Sequence, residues 1–252
     1  MKPDDLHEVA KANLTETYVA LGLATPGAKI LEGDGIVGCV GDFPHPICNF
    51  AVCASGAHAA VEDLTRQAGA HPGFHVYVSV ACGGRSNGSL LIRAGFKLVH
   101  NLVQMAWLPG TEAAPMPIPA ADTLDRRRQI ARFMMSQFFS RHPDWIRDRV
   151  CEATAMARGL DLYAVQAGRE LLGAVMLRPS AGSIGLYNLC VAAMERGRGH
   201  GTEIVRMVQG HAAVAPVPVI LQCNRDLEPW YRGLGFQGVG SIEVYALAPS
   251  AR

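Results

Sequence analysis

The chain has 252 residues, 49% of them hydrophobic and 18% charged, long enough for one large domain or two small ones around a proper core. A formal net charge of +1 gives no electrostatic reason to expect nucleic acid or an anionic membrane as partner. No apolar run reaches the roughly 18 residues of a membrane span, and the opening MKPDDLHEVAKANL is too acidic and polar for a signal peptide, so a cytoplasmic protein is expected.

Residues 1–21 predict an amphipathic helix, with Leu6, Val9, Ala10, Leu14 and Tyr18 near one stripe. Gly22–Gly35 reads as turns around one short strand. Two β-prone runs follow, Ile36–Val40 and Ile47–Cys53, separated by a segment whose Pro44 and Pro46 force extended backbone and cannot sit in a central strand. Ala57–Ala68 predicts a helix stopped by Gly69 and Pro72. His75–Val80 alternates as a strand does, Cys82–Ser89 is a glycine-rich loop, and Leu90–Phe96 with Lys97–Trp107 closes this half.

Leu108–Ala121 carries four prolines and no periodicity, which marks an extended linker. Asp122 then caps a helix whose apolar face is Ile130, Phe133, Met134 and Phe138; Arg126–Arg128 on it reads as a solvated basic face rather than a nucleic-acid patch. A second helix runs from His142-Pro143-Asp144 through Trp145, Ile146, Val150 and Ala153 to Gly159. A hairpin follows, Leu162–Gln166 and Leu171–Leu177 around Ala167–Arg169, and Pro179–Gly182 turns into the apolar strand Ile184–Val191.

That strand feeds Arg196-Gly197-Arg198-Gly199-His200-Gly201, and a helix follows with Ile204, Val205 and Val208 on one face. A strand, a glycine-rich turn and a helix start make an anion site: the first N–H groups of a helix lack internal partners, the macrodipole is positive there, and glycines let a phosphate approach the backbone. Neither G-x-G-x-x-G nor a P-loop fits the spacing. What fits is Arg-x-x-Gly-x-Gly (Arg196, Gly199, Gly201). Downstream, the strand Val217–Cys223 leads to Asn224, Tyr231, Gly235 and Phe236.

These two blocks, in this order with a strand between them, resemble the pyrophosphate motif and the Asn-x-x-Ala-x-x-Leu-Tyr…Gly-Phe motif of the GNAT superfamily of acetyl-coenzyme A-dependent N-acetyltransferases. Leu227 and Trp230 replace the usual Ala and Leu. The resemblance implies an α/β fold with a mixed sheet and acetyl-CoA as co-substrate. It also implies acetyl transfer to an amine of a small molecule or peptide by direct attack in a ternary complex. Leu189, Cys190 and Val191 would pair with the pantetheine arm in a gap between Ile184–Val191 and Val217–Cys223. A backbone N–H near Val191 would hold the acetyl carbonyl. Arg196, Gly197, Arg198, Gly199, His200, Gly201 and Thr202 would cradle the diphosphate, Asn224 would bond the arm, and Tyr231 would protonate the leaving thiolate. Many relatives carry a glutamate base where this chain has Tyr187 or Val219, so the base is open; Tyr187 and Asn188 are candidate acceptor-pocket residues.

The first half resembles a worn copy of the second. Leu90–Phe96 followed by a strand parallels Trp230–Phe236 followed by a strand, and Gly56 to Gly95 spans nearly the distance from Gly199 to Gly235. Ala54-Ser55-Gly56-Ala57 has lost the arginine and paired glycines, and Leu91 stands where Tyr231 stands. The expected organisation is therefore two GNAT-like halves: 1–108 without a cofactor motif, a linker over 109–121, and a catalytic domain over 122–252. The first half would complete the sheet, wall the acceptor pocket or dimerise the chain into a homodimer. Three readings compete with this. A non-catalytic acyl-CoA sensor or scaffold would fit the missing carboxylate. A Cys190 acetyl-enzyme would need a low thiol pKa that no neighbouring histidine in sequence supplies. Nucleic-acid binding rests on Arg126–Arg128 alone. The seven cysteines form no C-x-x-C and read as reduced and mostly buried thiols, and the nine histidines show no metal-ligand spacing, so no metal is expected.

Overall fold

The computed structural model describes residues 3–33, 35–54, 60–84, 86, 88–110 and 120–247. Ser55–Ala57 of the expected turn and most of the linker lie outside them. The chain forms two compact units, Met1–Met105 with Gln222–Glu228 and Gly238–Arg252, and Ala106–Leu221 with Pro229–Gln237. Among the described residues no helix is long and apolar enough to cross a membrane.

The first unit contains helices α1 (Pro3–Leu23), α2 (Val61–Ala70) and α3 (Gly88–Arg93). Its strands are β1 (Lys29–Gly33), β2 (Ile36–Val40), β3 (Phe50–Ala54), β4 (His75–Ala81), most of β5 (Phe96–Trp107) and nearly all of β10 (Gln237–Leu247), in the order β1-β2-β3-β4-β10-β5. β3 and β4 are parallel, Phe50 opposite His75; β10 runs antiparallel to β4, Gly240 opposite Ala81 and Ala246 opposite His75. The last strand of the chain thus completes the first unit. Compactness does not follow the 1–108 and 122–252 halves expected from chain order, because β10 places Tyr245 in the same buried cluster as Ile36, Leu64, Val76 and Phe96.

Two sequence readings are corrected here. The buried face of α1 holds Leu6, Ala10, Leu14 and Leu21 but also His7, Asn13 and Thr17, while Val9 and Tyr18 are only half-buried. Three polar residues on a core face blur the stripe that hydrophobic periodicity reads. The run Ile47–Cys53 starts as a strand only at Phe50. Asn49, fully buried, accepts from the Gly41 N–H at 2.7 Å and donates to the carbonyls of Phe43 at 2.7 Å and Pro72 at 3.0 Å, so its side chain ties loops together ahead of the strand.

The second unit contains α4 (Leu124–Phe138), α5 (Asp144–Met156), α6 (His200–Val214) and nearly all of α7 (Glu228–Gly233). Its strands are β6 (Asp161–Ala167), β7 (Glu170–Ser180), β8 (Ser183–Val191) and most of β9 (Val219–Cys223), in the order β9-β8-β7-β6. Thr123, not Asp122, caps α4, its hydroxyl accepting from the Arg126 N–H at 3.2 Å. Nor is Arg126–Arg128 one solvated face. Arg127 turns inward and donates to the carbonyls of Ala155, Leu160 and Ala157 at 2.6, 2.7 and 3.0 Å, closing the C-terminal end of α5 against α4. Arg128 grips Glu152 with two nitrogens, and Arg126 reaches Gln129 and Gln166.

Candidate active site

β8 is the backbone of the candidate site. Its parallel ladder with β9 covers Ile184–Leu186 against Val219–Leu221. Beyond it the register with β7 shifts: Tyr187 faces Met176 and Cys190 faces Ala174, three steps on β8 against two on β7. This β-bulge contains Asn188 at φ 51°, the only non-glycine with positive φ among the described residues. Asn tolerates that region because its short polar side chain bonds locally, and a bulge re-aims side chains and releases ladder groups where it occurs. Tyr187 and Cys190 are buried there, Leu189 and Val191 half-buried, and Asn188 exposed.

After β8 a short 3-10 turn, Ala193–Glu195, leads into the glycine turn. Gly197 has φ 79° and Gly199 φ 91°, and Gly199 is the N-cap of α6. A β-carbon on either would meet no atom within 4 Å, so these glycines are dictated by backbone conformation, and the space above them is open. At Gly201, inside the first turn of α6, a β-carbon would stand 3.5 Å from the indole of Trp230. The two sequence motifs therefore meet.

The charged groups of the turn are already engaged. Arg196 donates from Nε to the carbonyl of Val191 at 3.2 Å and from Nη2 to Oε1 of Gln137 on α4 at 3.3 Å. It braces the turn to the end of β8, a job the sequence reading did not give it. Arg198 donates to both oxygens of Glu195 at 3.2 Å, and His200 lies 3.4 Å from Glu195 and 3.5 Å from Glu203. Sequence reasoning missed Glu195 and Gln137. The i,i+3 spacing of Glu195 and Arg198 could have revealed the first; nothing local announces the second.

Tyr231 lies on α7, 5% exposed, its ring edge-on to Phe236 at 5.5 Å and tilted against Trp230 at 4.6 Å. Its carbonyl accepts from the N–H groups of Leu234 and Phe236 at 3.0 and 3.1 Å, closing the helix end, and Gly235 at φ 87° makes the turn. Asn224 is exposed and belongs to the first compact unit, with its carbonyl accepting from Leu227 N–H at 3.0 Å. The structure brings together Arg196–Thr202, the end of β8, Trp230 and Tyr231 in the second unit; Asn224 belongs to the first.

Burial pushes the Cys190 thiol up to about 12, against smaller lowering effects from the Ala174 backbone and Arg196. A thiol so held is not a thiolate at neutral pH. Among the described residues no group of three His, Cys, Asp or Glu side chains converges as a metal site would.

No protein-family model matches the sequence, and no curated protein does. Solved structures do match. A GCN5-related N-acetyltransferase from Kribbella flavida is 12% identical, superposes with a TM-score of 0.66, and is matched over 95% of this chain and 96% of its own. The chain has the GNAT acetyltransferase fold. A putative GNAT-family acetyltransferase from Novosphingobium aromaticivorans (16% identity, TM-score 0.55, 92% and 97% coverage) has it too. So does a tandem GNAT protein from the clavulanic acid biosynthesis pathway (12% identity, TM-score 0.52, 99% and 98% coverage). These matches extend over 92–99% of the chain.

Proposed function

We propose that the protein is an N-acetyltransferase that moves the acetyl group of acetyl-CoA onto an amine of a small molecule or peptide. The observation that carries this reading is the contact of Gly201 with Trp230, which seats the glycine turn of α6 beside the helix that bears Tyr231. The turn suits a diphosphate: the open space over Gly197 and Gly199 admits phosphate oxygens to the backbone, and the first N–H groups of α6 have no intrahelical acceptors. Arg198 adds charge when it leaves Glu195.

Acetyl-CoA supplies a thioester whose acyl carbon an amine can attack. The residues of this chain then divide the work. Gly197–Thr202 anchor the diphosphate end. Leu189, Cys190 and Val191, beyond Asn188 and past the β8–β9 ladder, offer backbone groups to the pantetheine arm in the manner of an added strand. A backbone N–H near Val191 holds the acetyl oxygen as charge builds on it. The amine arrives neutral or passes its proton to water, which backbone carbonyls orient; as the C–N bond forms and the C–S bond breaks, Tyr231 gives a proton to the departing sulfur. Tyr187 and Asn188 border the acceptor.

Calorimetry with acetyl-CoA, followed by thiol release with a panel of amines, tests the reading. Wild type binds acetyl-CoA and turns over at least one amine; Tyr231→Phe keeps the affinity within a few-fold and loses most of the turnover. Absence of acetyl-CoA binding removes the proposed activity. Undiminished turnover in Tyr231→Phe removes the role of the phenol.

A further inference from the structure

One charged residue at the glycine turn has the wrong sign for a diphosphate site. Glu195 ends the short 3-10 turn after β8, directly before Arg196. Both of its carboxylate oxygens accept from Nη1 of Arg198 at 3.2 Å, and Oε2 lies 3.4 Å from Nε2 of His200, the first residue of α6. The glutamate side chain is 22% exposed and that of Arg198 64%, so the carboxylate is the sheltered member of the pair and the guanidinium the solvent-facing one.

The two arginines of the turn are therefore held in different ways. Arg196 donates to the Val191 carbonyl and the Gln137 amide oxygen, both neutral acceptors. Arg198 faces a full negative charge. A carboxylate in this place receives what a phosphate would receive there, a guanidinium within reach and the positive end of a helix. A phosphate that approaches the backbone over Gly197 and Gly199 meets Glu195 as a like charge and finds Arg198 already paired.

We infer that Glu195 positions Arg198 and competes with the diphosphate for it, so that this residue of the site weakens coenzyme binding. The inference rests on the acetyl-CoA reading above and adds to it a residue whose effect has the opposite sign. Binding becomes an exchange in which the guanidinium leaves the carboxylate for a phosphate oxygen. Arg198 is paired before and after, so its gain is only the difference between two partly exposed ion pairs. The carboxylate left behind stays near the bound phosphates.

Calorimetry on the intact chain tests this with acetyl-CoA and with ADP, which carries a diphosphate without the thioester arm. Glu195→Gln keeps the size of the side chain and one acceptor oxygen but removes the charge. At low salt it tightens both ligands roughly three- to tenfold, and the gain shrinks in about 1 M salt, where the screening length is about 3 Å. Glu195→Ala moves affinity in the same direction and serves if the glutamine variant does not fold. Arg198→Ala weakens both ligands, and in that background Glu195→Gln gains less, because no guanidinium is left to release; the double-mutant cycle isolates the exchange. Wild type that binds acetyl-CoA as tightly as folded Glu195→Gln overturns the role of Glu195 and leaves the coenzyme reading standing. So does an equal gain with and without Arg198, or a gain for acetyl-CoA that ADP does not share. If neither wild type nor Glu195→Gln binds acetyl-CoA or ADP, the coenzyme reading itself fails and this inference falls with it.

Discussion

The indole of Trp230 rests against Gly201, leaving 3.5 Å to the place a β-carbon would occupy. That distance is ordinary van der Waals contact, and Gly201 does not have positive φ. Gly201→Ala therefore folds without strain, and a helical alanine is favoured over glycine by about 0.5–1 kcal/mol. Its added methyl packs against Trp230 and Val191, away from the open space over Gly197 and Gly199. Denaturant titration is expected to show unchanged or slightly higher stability, and calorimetry an acetyl-CoA affinity within a few-fold of wild type. Gly199→Ala behaves in the opposite way: at φ 91° it costs about 1–2 kcal/mol of stability, and its methyl enters the open space where the diphosphate is proposed to approach, so at least a tenfold loss of acetyl-CoA affinity is expected. Unchanged acetyl-CoA affinity in folded Gly199→Ala would contradict the diphosphate assignment.

Cys190 is buried beside the bulge with its thiol pushed up to about 12. A mechanism through an acetylated cysteine needs a thiolate, and desolvation here opposes one. Cys190→Ala is expected to keep turnover within about threefold of wild type, with a stability loss of about 1 kcal/mol from the small void. Native-state alkylation followed by mass spectrometry should find Cys82, the exposed thiol, modified long before the six buried ones. Loss of all activity in a folded Cys190→Ala would revive covalent catalysis.

How much of this was legible depended on range. The glycine turn reads directly from sequence because positive φ at Gly197 and Gly199 is a local demand that glycine meets. The hairpin β6–β7 and strand β8 read from short apolar runs bounded by turn residues, which are local signals as well. The bulge did not, since Asn188 looks like any strand residue until its partners on β7 are counted. Gln137 meets Arg196 from a helix far away in the chain, and the pairing of β10 with β4 is a choice of neighbour that no residue in β10 encodes alone. The inward turn of Arg127 was hidden by its two flanking arginines, which share its chemistry but not its side of the helix.

Arg127 offers a stability test of that difference. Its three bonds go to carbonyls at and beyond the end of α5, groups the helix itself leaves unpaired. Arg127→Ala strips all three at once and should cost about 2–4 kcal/mol in urea denaturation. Arg127→Lys recovers less than half, because an ammonium cannot span three acceptors as the guanidinium fork does. Arg126→Ala, which removes two bonds to exposed glutamine side chains, should stay within about 0.5 kcal/mol.

His7 makes the fold sensitive to acid. It sits on the inner face of α1 with Nε2 3.3 Å from the hydroxyl of Ser79, its ring filling the space over Gly240, while Nδ1 has no partner and both amide atoms of buried Gln104 also lack one of good geometry. Burial lowers its pKa, with Lys11 adding to the effect and Glu8, the nearby Gln104 amide and Asp4 opposing it. The unfolded chain therefore takes up this proton more readily than the folded one, so the contribution of neutral His7 is complete above about pH 6.5 and is lost as the pH falls toward its folded value. His75, lowered mainly by burial, acts in the same direction. Urea midpoints of wild type should drop steadily from pH 7 to pH 5, and His7→Gln, which cannot titrate, should show a shallower drop with His75 accounting for part of what remains. If the slope of His7→Gln equals that of wild type, the acid sensitivity arises elsewhere and the imidazole over Gly240 keeps its proton affinity on folding.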